Sequence, residues 1–143
     1  MMMRMLPVLL AVLAGILPAR VGHAEGDATP PDRRVVVYYL YKTPRCDTCL
    51  RIEAYSKEAL DSSFAGQLEA GSIEWHAYDT DLPEYAHYWS DFKLEVKSLV
   101  MVEVQGSEIA QWKICPKVWD LVDDKPAFLD YVRSELESYL HQE

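Results

Sequence analysis

The sequence predicts an α/β domain whose elements follow the order β-α-β-α-β-β-α. A run of β-branched and aromatic residues, Val35–Tyr41, leads directly into a helical pattern that opens at Cys46. A second apolar run, Ile73–Tyr78, precedes an aromatic stripe at helical spacing, and two short apolar runs near the C-terminus are joined by a loop that contains Gly106. Strands that alternate with helices are typical of a sheet covered by helices.

The first two dozen residues have the features of a secretory signal peptide. Arg4 supplies a positive charge, Leu6–Ala19 is apolar, and the small residues of Gly22-His23-Ala24 favour cleavage after Ala24. An uncleaved N-terminal anchor is the alternative. We therefore expect the mature protein to be soluble and periplasmic or secreted.

Charge and length narrow the classes of function. The 143-residue chain has 14 basic and 23 acidic side chains, and removal of residues 1–24 changes the net charge from −9 to −11 because Arg4 and Arg20 are lost. An anionic surface repels phosphate backbones and acidic lipid headgroups, so no nucleic-acid partner is expected. The remaining chain is expected to form a flexible lead-in over residues 25–34 and one domain over residues 35–143.

The motif that can carry chemistry is Cys46-Asp47-Thr48-Cys49, at the junction of the first strand and the first helix. A helix N-terminus favours a thiolate, as do Lys42 and Arg45, whereas Asp47 opposes it. Two cysteines at this spacing can switch between dithiol and disulfide, and an exported compartment lets the disulfide persist. A structural disulfide and part of a metal site are the alternatives.

The segments after the motif predict two helices and a strand between them. Apolar residues at helical spacing from Cys49 to Leu60 give the first helix a buried face. Asp79-Thr80-Asp81 ahead of Pro83 predicts a capped helix start, with cation binding as the alternative for the two aspartates. The aromatic residues that follow are expected to pack in the core or to form a binding surface: Tyr85, Tyr88, Trp89 and Phe92.

The C-terminal part predicts a hairpin and a closing helical region. Leu99–Val104 and Glu108–Ile114 form the hairpin, and only this pair of strands needs to be antiparallel. Pro116 fits the first turn of the helical region. The apolar face of this region consists of Phe128, Val132, Leu136, Tyr139 and Leu140.

With this element order and a Cys-x-x-Cys at the first helix, the chain resembles the thioredoxin fold from Val35 to Leu140. Its segments CDTCLRIEAYSKEAL, SIEWHAYDTDLPE, KSLVMVEVQGSEIAQWK and KVWDLVDDKPAFLDYV look like the small exported ArsF-type nitrophenyl-compound nitroreductase subunits. The resemblance implies a three-layer sandwich with a central mixed sheet, Cys46 as nucleophile and Cys49 as resolving thiol. No G-x-G-x-x-G loop follows a strand, so no flavin or nicotinamide cofactor is expected to bind directly.

Two positions depart from the thioredoxin pattern. The cis-proline that faces the cysteine pair is replaced at Lys97 or Ser98, where we expect a trans peptide bond and more room over the sulfurs. The buried carboxylate beneath the pair falls at Leu40, which leaves Cys49 without an internal acid or base.

Cys115 is expected either to be a buried small residue or to border the cysteine pair at the end of the last strand. In the second case Cys46, Cys49 and Cys115 would offer three thiolates to a soft ion. Zinc would need a further ligand, His76 or His87, and no firm metal site is predicted.

Two classes of function therefore remain open. The first is a thiol-disulfide oxidoreductase or electron-transfer subunit that acts on a thiol or disulfide protein partner or on a membrane reductase or transporter. The second is a non-catalytic binding module whose vicinal thiols hold a soft metal or trivalent arsenical, or which docks a membrane transporter or reductase. Around the two cysteines, the expected partner surface consists of Arg45, Lys97, Ser98 and Cys115.

Overall fold

The computed structural model describes residues 31–141, in which four strands form one sheet. The strands are β1 (Arg33–Tyr41), β2 (Ile73–Asp79), β3 (Ser98–Gln105) and β4 (Glu108–Ile114). Their order is β2-β1-β3-β4, with β1 parallel to β2 and antiparallel to β3. The predicted β3–β4 hairpin is confirmed. The sheet is mixed, and the antiparallel pairing of β1 with β3 corrects the expectation that the hairpin alone is antiparallel.

Five helices accompany the strands within residues 31–141. They are α1 (Asp47–Ser63), α2 (Ala65–Glu69), α3 (His87–Asp91), α4 (Val118–Leu121) and α5 (Lys125–Leu140). The predicted element order is therefore present, with the short helices α2 and α4 as additions. This order and the mixed sheet establish the α/β class. None of these helices combines the length and apolarity needed to cross a membrane.

β1 is the central strand, as its apolar character on both faces predicts. Val36 and Leu40 are buried on one face of the sheet, while Val37 and Tyr39 are buried on the other. The strand begins at Arg33, two residues earlier than the sequence pattern indicates, because β3 is long enough to pair with both arginines that precede Val35. The predicted signal peptide and most of the predicted lead-in lie outside the described residues.

Helical segments cover both faces of the sheet. α1 and α5 pack on the face that carries Tyr39, and α5 buries the predicted apolar side chains from Phe128 to Tyr139 there. On the opposite face, Phe92 and Leu94 pack beside α3 against Leu40 and its neighbours. The core is therefore split into two clusters by the sheet itself.

The segment after β2 differs from the predicted capped helix. β2 continues to Asp79, turns occupy residues 80–86, and α3 begins only at His87. The two aspartates bind the turn before the cysteine motif instead. Thr43 donates its hydroxyl to Asp79 Oδ2 at 2.6 Å and its backbone N–H to Asp81 Oδ2 at 3.0 Å. Asp79 Oδ1 also accepts the backbone N–H of Asp81 at 3.0 Å, so a local turn contact accompanies the contact between distant parts of the chain.

Glu103 is a buried carboxylate that connects β3 to its surroundings. It accepts hydrogen bonds from Arg33 Nε at 2.6 Å and from Gln111 Nε2 at 2.5 Å. Arg33 also donates to the backbone carbonyl of Tyr139 at 2.7 Å, near the end of α5. These hydrogen bonds hold the pKa of Glu103 below its usual range, and the one from Arg33 has the largest effect.

Replacing Glu103 by Gln should make the stability of the fold less dependent on pH in the acidic range. Because its pKa is lower in the folded chain than the unfolded value of about 4.3, the carboxylate stabilises the fold above that value and loses this effect as the pH falls through the folded-state pKa. Urea unfolding at neutral pH and at about pH 3 measures the difference. Glu84→Gln, at an exposed site, is the control, and an unchanged pH dependence in Glu103→Gln would contradict the assignment.

Candidate functional site

Cys46 and Cys49 lie at the start of α1, where the sequence predicts them. Cys46 is exposed and caps the helix, and its Sγ accepts the backbone N–H of Cys49 at 3.4 Å. Cys49 lies one turn deeper and is buried. The two residues are 2.6 Å apart at their closest approach, and both are free thiols. An accessible sulfur therefore lies beside a shielded one.

Lys97 brings a positive charge to the inner sulfur. Its Nζ lies 3.6 Å from Cys49 Sγ and donates to the carbonyl of Pro44 at 2.6 Å. The backbone carbonyl of Lys97 accepts a hydrogen bond from Trp119 Nε1 at 3.0 Å. Both ends of the residue are therefore held. Within residues 31–141 the cis peptide bond is Thr43–Pro44, so the bonds around Lys97 are trans, as expected.

The pKa of Cys49 is lowered although the side chain is buried. Burial alone opposes the charged form, but hydrogen bonds from Cys46 and the nearby ammonium of Lys97 outweigh it. Because the thiolate is the reactive form of cysteine, these contacts favour reactivity at the inner position of the pair. The sequence analysis places Lys97 opposite the cysteine pair, although it is 48 positions from Cys49, but does not predict that its ammonium contacts the Cys49 sulfur.

Tyr39, and not Leu40, lies beneath the cysteine pair. Leu40 packs with Phe92 on the other face of the sheet, so the predicted position is wrong by one residue. Among the described residues the buried Tyr39 hydroxyl has no hydrogen-bond partner, and Cys49 lies near enough to influence its ionisation. Burial, together with the negative charge on Cys49, raises the pKa of Tyr39. The phenol therefore stays protonated at neutral pH.

A cavity of about 550 Å³ opens beside the two cysteines. Its walls are mainly apolar and come from Trp89, Val96 and Trp119. This is the room over the sulfurs that the replacement of proline predicts. The aromatic stripe is thus divided between the two predicted roles, since Phe92 is buried in the core whereas Trp89 lines the cavity.

Three residues predicted for the partner surface do not line this cavity. Arg45 forms an ion pair with Glu53 on α1. Ser98 is buried and donates its hydroxyl to the carbonyl of Val96 at 2.8 Å. Cys115 is buried in the core on the α1 and α5 face, where burial raises its pKa to about 11. Of the predicted surface, only Lys97 therefore lines the cavity.

The described residues do not gather a metal site. Residues 31–141 contain no group of three or more His, Cys, Asp or Glu side chains that could hold an ion. Cys115 is therefore not a third ligand beside the other two cysteines, which corrects the three-thiolate alternative. His76 lies 3.2 Å from Glu74, and His87 Nδ1 lies 2.8 Å from Asp91, so each histidine has a carboxylate partner elsewhere.

No protein-family model matches the chain, and a comparison with curated proteins finds no significant match. The fold and the site therefore define only a structural class for this protein. It is an α/β domain with two vicinal thiols at a helix N-terminus, next to an ammonium group and an apolar cavity.

Replacing Lys97 by Met should raise the pKa of the Cys49 thiol, because it removes the positive charge 3.6 Å from Sγ. The titration midpoint should move upward, because an opposite charge at this range favours the thiolate. Thiolate absorbance of the reduced protein, recorded against pH with Cys46 replaced by Ser in every variant, measures the shift of Cys49 alone. Because the pKa of Cys115 is raised to about 11, this thiol does not ionise near neutral pH and does not contribute to the absorbance there.

The matched control for this titration is Lys42→Met, which removes a different lysine from the same cavity. Lys42 Nζ lies 4.3 Å from the ring centroid of Trp89, so its ammonium makes a cation–π interaction with that ring. We expect this variant to titrate like the protein with both lysines. Equal shifts in both variants would mean that the general charge of the cavity, and not the contact with Lys97, stabilises the thiolate.

In the native protein, Cys115 should be alkylated much more slowly than Cys46. Burial shields its sulfur and raises its pKa, whereas Cys46 is exposed at the helix terminus. Peptide mass spectrometry after timed treatment with iodoacetamide measures both sites. Denaturant should abolish the difference, and equal labelling without denaturant would show that Cys115 is accessible.

Proposed function

We propose that this chain is an exported thioredoxin-like protein whose Cys46–Cys49 pair carries out thiol-disulfide exchange or electron transfer. The observation that carries the proposal is the pairing of an exposed sulfur at a helix N-terminus with a buried sulfur that an ammonium contacts. The strand order β2-β1-β3-β4, with Cys46 and Cys49 in the first turn of the helix that follows β1, supports the finer assignment of the fold. The resemblance to exported nitroreductase subunits belongs to the same proposal.

Exchange on a disulfide substrate proceeds through two displacements. The Cys46 thiolate attacks one substrate sulfur, so that a mixed disulfide forms and the first substrate thiolate leaves. The Cys49 thiolate then attacks Cys46 Sγ and releases the second substrate thiolate. Two electrons pass from the protein to the substrate, and the two protons of the cysteine pair end on the two product thiols. The protein is left with a Cys46–Cys49 disulfide.

Lys97 and Tyr39 support the inner sulfur in this reaction. The ammonium stabilises the Cys49 thiolate that attacks the mixed disulfide, and the neutral phenol lies near the same residue. In the reverse reaction Cys49 is the leaving group, and a lower pKa makes it leave faster. Because this stabilisation acts on the reduced state, it also makes the couple more oxidising.

The proposed place of action is the periplasm or the cell exterior. An export signal is predicted over residues 1–24, and an oxidising compartment lets the Cys46–Cys49 disulfide persist once it has formed. Because the exchange leaves the pair oxidised, a thiol protein or a membrane reductase must supply the two electrons that restore the dithiol. The negative charge of the chain favours partners other than nucleic acid.

The second candidate is a carrier of soft metal ions or trivalent arsenicals that delivers its cargo to a membrane transporter or reductase. The proximity of two free thiols favours it, because vicinal thiolates bind soft ions as a pair. The buried position of Cys115 weakens this candidate, since the protein then supplies only two sulfur ligands. A cargo that is held by two sulfur ligands alone would need no third ligand from the chain.

Equilibration with glutathione redox buffers should give a reversible Cys46–Cys49 couple. We expect its midpoint potential to lie between those of thioredoxin and DsbA, about −270 and about −120 mV. Cys46→Ser should abolish exchange, and Cys49→Ser should accumulate the mixed disulfide because the second displacement is lost. Alkylation followed by mass spectrometry measures the species. Cys115→Ser is the matched control and should retain the couple.

The same preparation distinguishes the two candidates. If the pair forms no reversible disulfide in any buffer, but the reduced protein binds a trivalent arsenical tightly and loses that binding in Cys46→Ser, the carrier replaces the exchange protein. Turnover on a disulfide substrate without tight arsenical binding supports exchange.

A further inference from the structure

The cavity beside the cysteine pair has the dimensions and the lining of a small-molecule site. Its volume of about 550 Å³ lies inside the range of about 300–1,000 Å³ that such sites occupy. The side chains of Trp89, Val96 and Trp119 supply apolar and aromatic surface, and the exposed Cys46 lines the same space. A ligand with an aromatic ring can therefore lie against the tryptophans while its sulfur meets Cys46.

The loop before β3 is poorly suited to bind an extended peptide. A peptide that adds to a protein edge as a strand needs free backbone carbonyls to accept its N–H groups. Here Ser98 Oγ donates to the carbonyl of Val96 at 2.8 Å, and Trp119 Nε1 donates to the carbonyl of Lys97 at 3.0 Å. Two consecutive carbonyls of this loop therefore each already accept one hydrogen bond from a side chain of the same chain, which leaves fewer acceptor positions for a peptide.

The charges around the cavity favour an anionic ligand. Two lysines, Lys42 and Lys97, and one carboxylate, Glu95, line it. While Cys46 and Cys49 are protonated, this lining is net positive, in contrast to the formal charge of −9 on the whole chain. Lys97 Nζ lies close to Cys49 Sγ and Lys42 Nζ lies over the Trp89 ring, so an acidic group bound between sulfur and ring meets an ammonium.

We propose that the substrate of the exchange reaction is a small aryl disulfide or aryl thiol that carries an acidic group and binds against Trp89 and Trp119. This inference rests on the proposed exchange chemistry of Cys46. In one turnover, the reduced pair and one aryl disulfide give the Cys46–Cys49 disulfide and two aryl thiols. The substrate S–S bond breaks, the protein S–S bond forms, and the two thiol protons of the protein pass to the products.

Binding can be measured apart from the chemistry in a variant with Cys46→Ser and Cys49→Ser. The probe is dithiodibenzoate, an aryl disulfide with two carboxylates, and the comparison is dithiodipropionate, an aliphatic disulfide with the same charge. Calorimetry should show that the aryl compound binds at least about tenfold more tightly, because only its rings can stack on the tryptophans.

Two further substitutions in that variant locate the ligand. Trp89→Ala should weaken binding of dithiodibenzoate by about tenfold, because it removes an aromatic wall of the cavity. Trp112→Ala is the matched control: this partly exposed tryptophan of β4 packs against Phe92, lies outside the cavity lining, and should leave the affinity unchanged.

The reaction itself is followed with the reduced natural protein in a single turnover. Its rate should saturate with dithiodibenzoate and rise linearly with dithiodipropionate over the same range. Each rate is divided by the rate at which free dithiothreitol reduces the same disulfide. On this normalised scale, insulin disulfides should react more slowly than dithiodibenzoate. Faster normalised reaction with insulin would overturn the proposal.

The proposed substrate and the proposed function fail in different ways. Equal affinity for the two small disulfides, or no effect of Trp89→Ala, overturns the aryl substrate even if the cysteines exchange. Selective binding of dithiodibenzoate without any oxidation of the cysteine pair overturns the exchange function, and with it the role of the bound compound as a substrate.

Discussion

The contact between the Lys97 ammonium and Cys49 is the interaction on which the site depends. A buried thiolate is costly unless a positive charge or hydrogen bonds compensate for its lost hydration. Lys97 supplies the charge at 3.6 Å and is itself held through Pro44 and Trp119. The loop before β3, the turn before α1 and the helix α4 are thereby joined around one sulfur.

Sheet topology explains why these groups meet. β1 and β2 are parallel and end at the same edge of the sheet, and β3 is antiparallel to β1, so it begins at that edge. The turn that carries Thr43 follows β1, Asp79 and Asp81 lie at the end of β2, and Lys97 precedes β3. Three chain segments that are distant in sequence therefore converge on the N-terminus of α1.

Local patterns were sufficient to predict the strands of the sheet, the long helices α1 and α5, and the position of the cysteine pair. They were insufficient where a tertiary contact decides the outcome. Asp79 and Asp81 have the local pattern of a helix cap, but no helix starts there: Asp79 closes a turn onto the N–H of Asp81, and both side chains bind Thr43. Tyr39 replaces Leu40 beneath the sulfurs because a shift of one residue in a strand reverses the face of the sheet, and element order alone does not fix that register.

The burial of Cys115 has a consequence for the fidelity of disulfide formation. Three cysteines allow three different intramolecular pairings, and two of them would consume Cys115. The fold places that sulfur in the core and disfavours its thiolate, so once folding is complete neither of those pairings competes. In the proposed exchange reaction, the Cys46–Cys49 pair is then oxidised and reduced without being scrambled by the third thiol, whereas unfolding would expose all three thiols to one another.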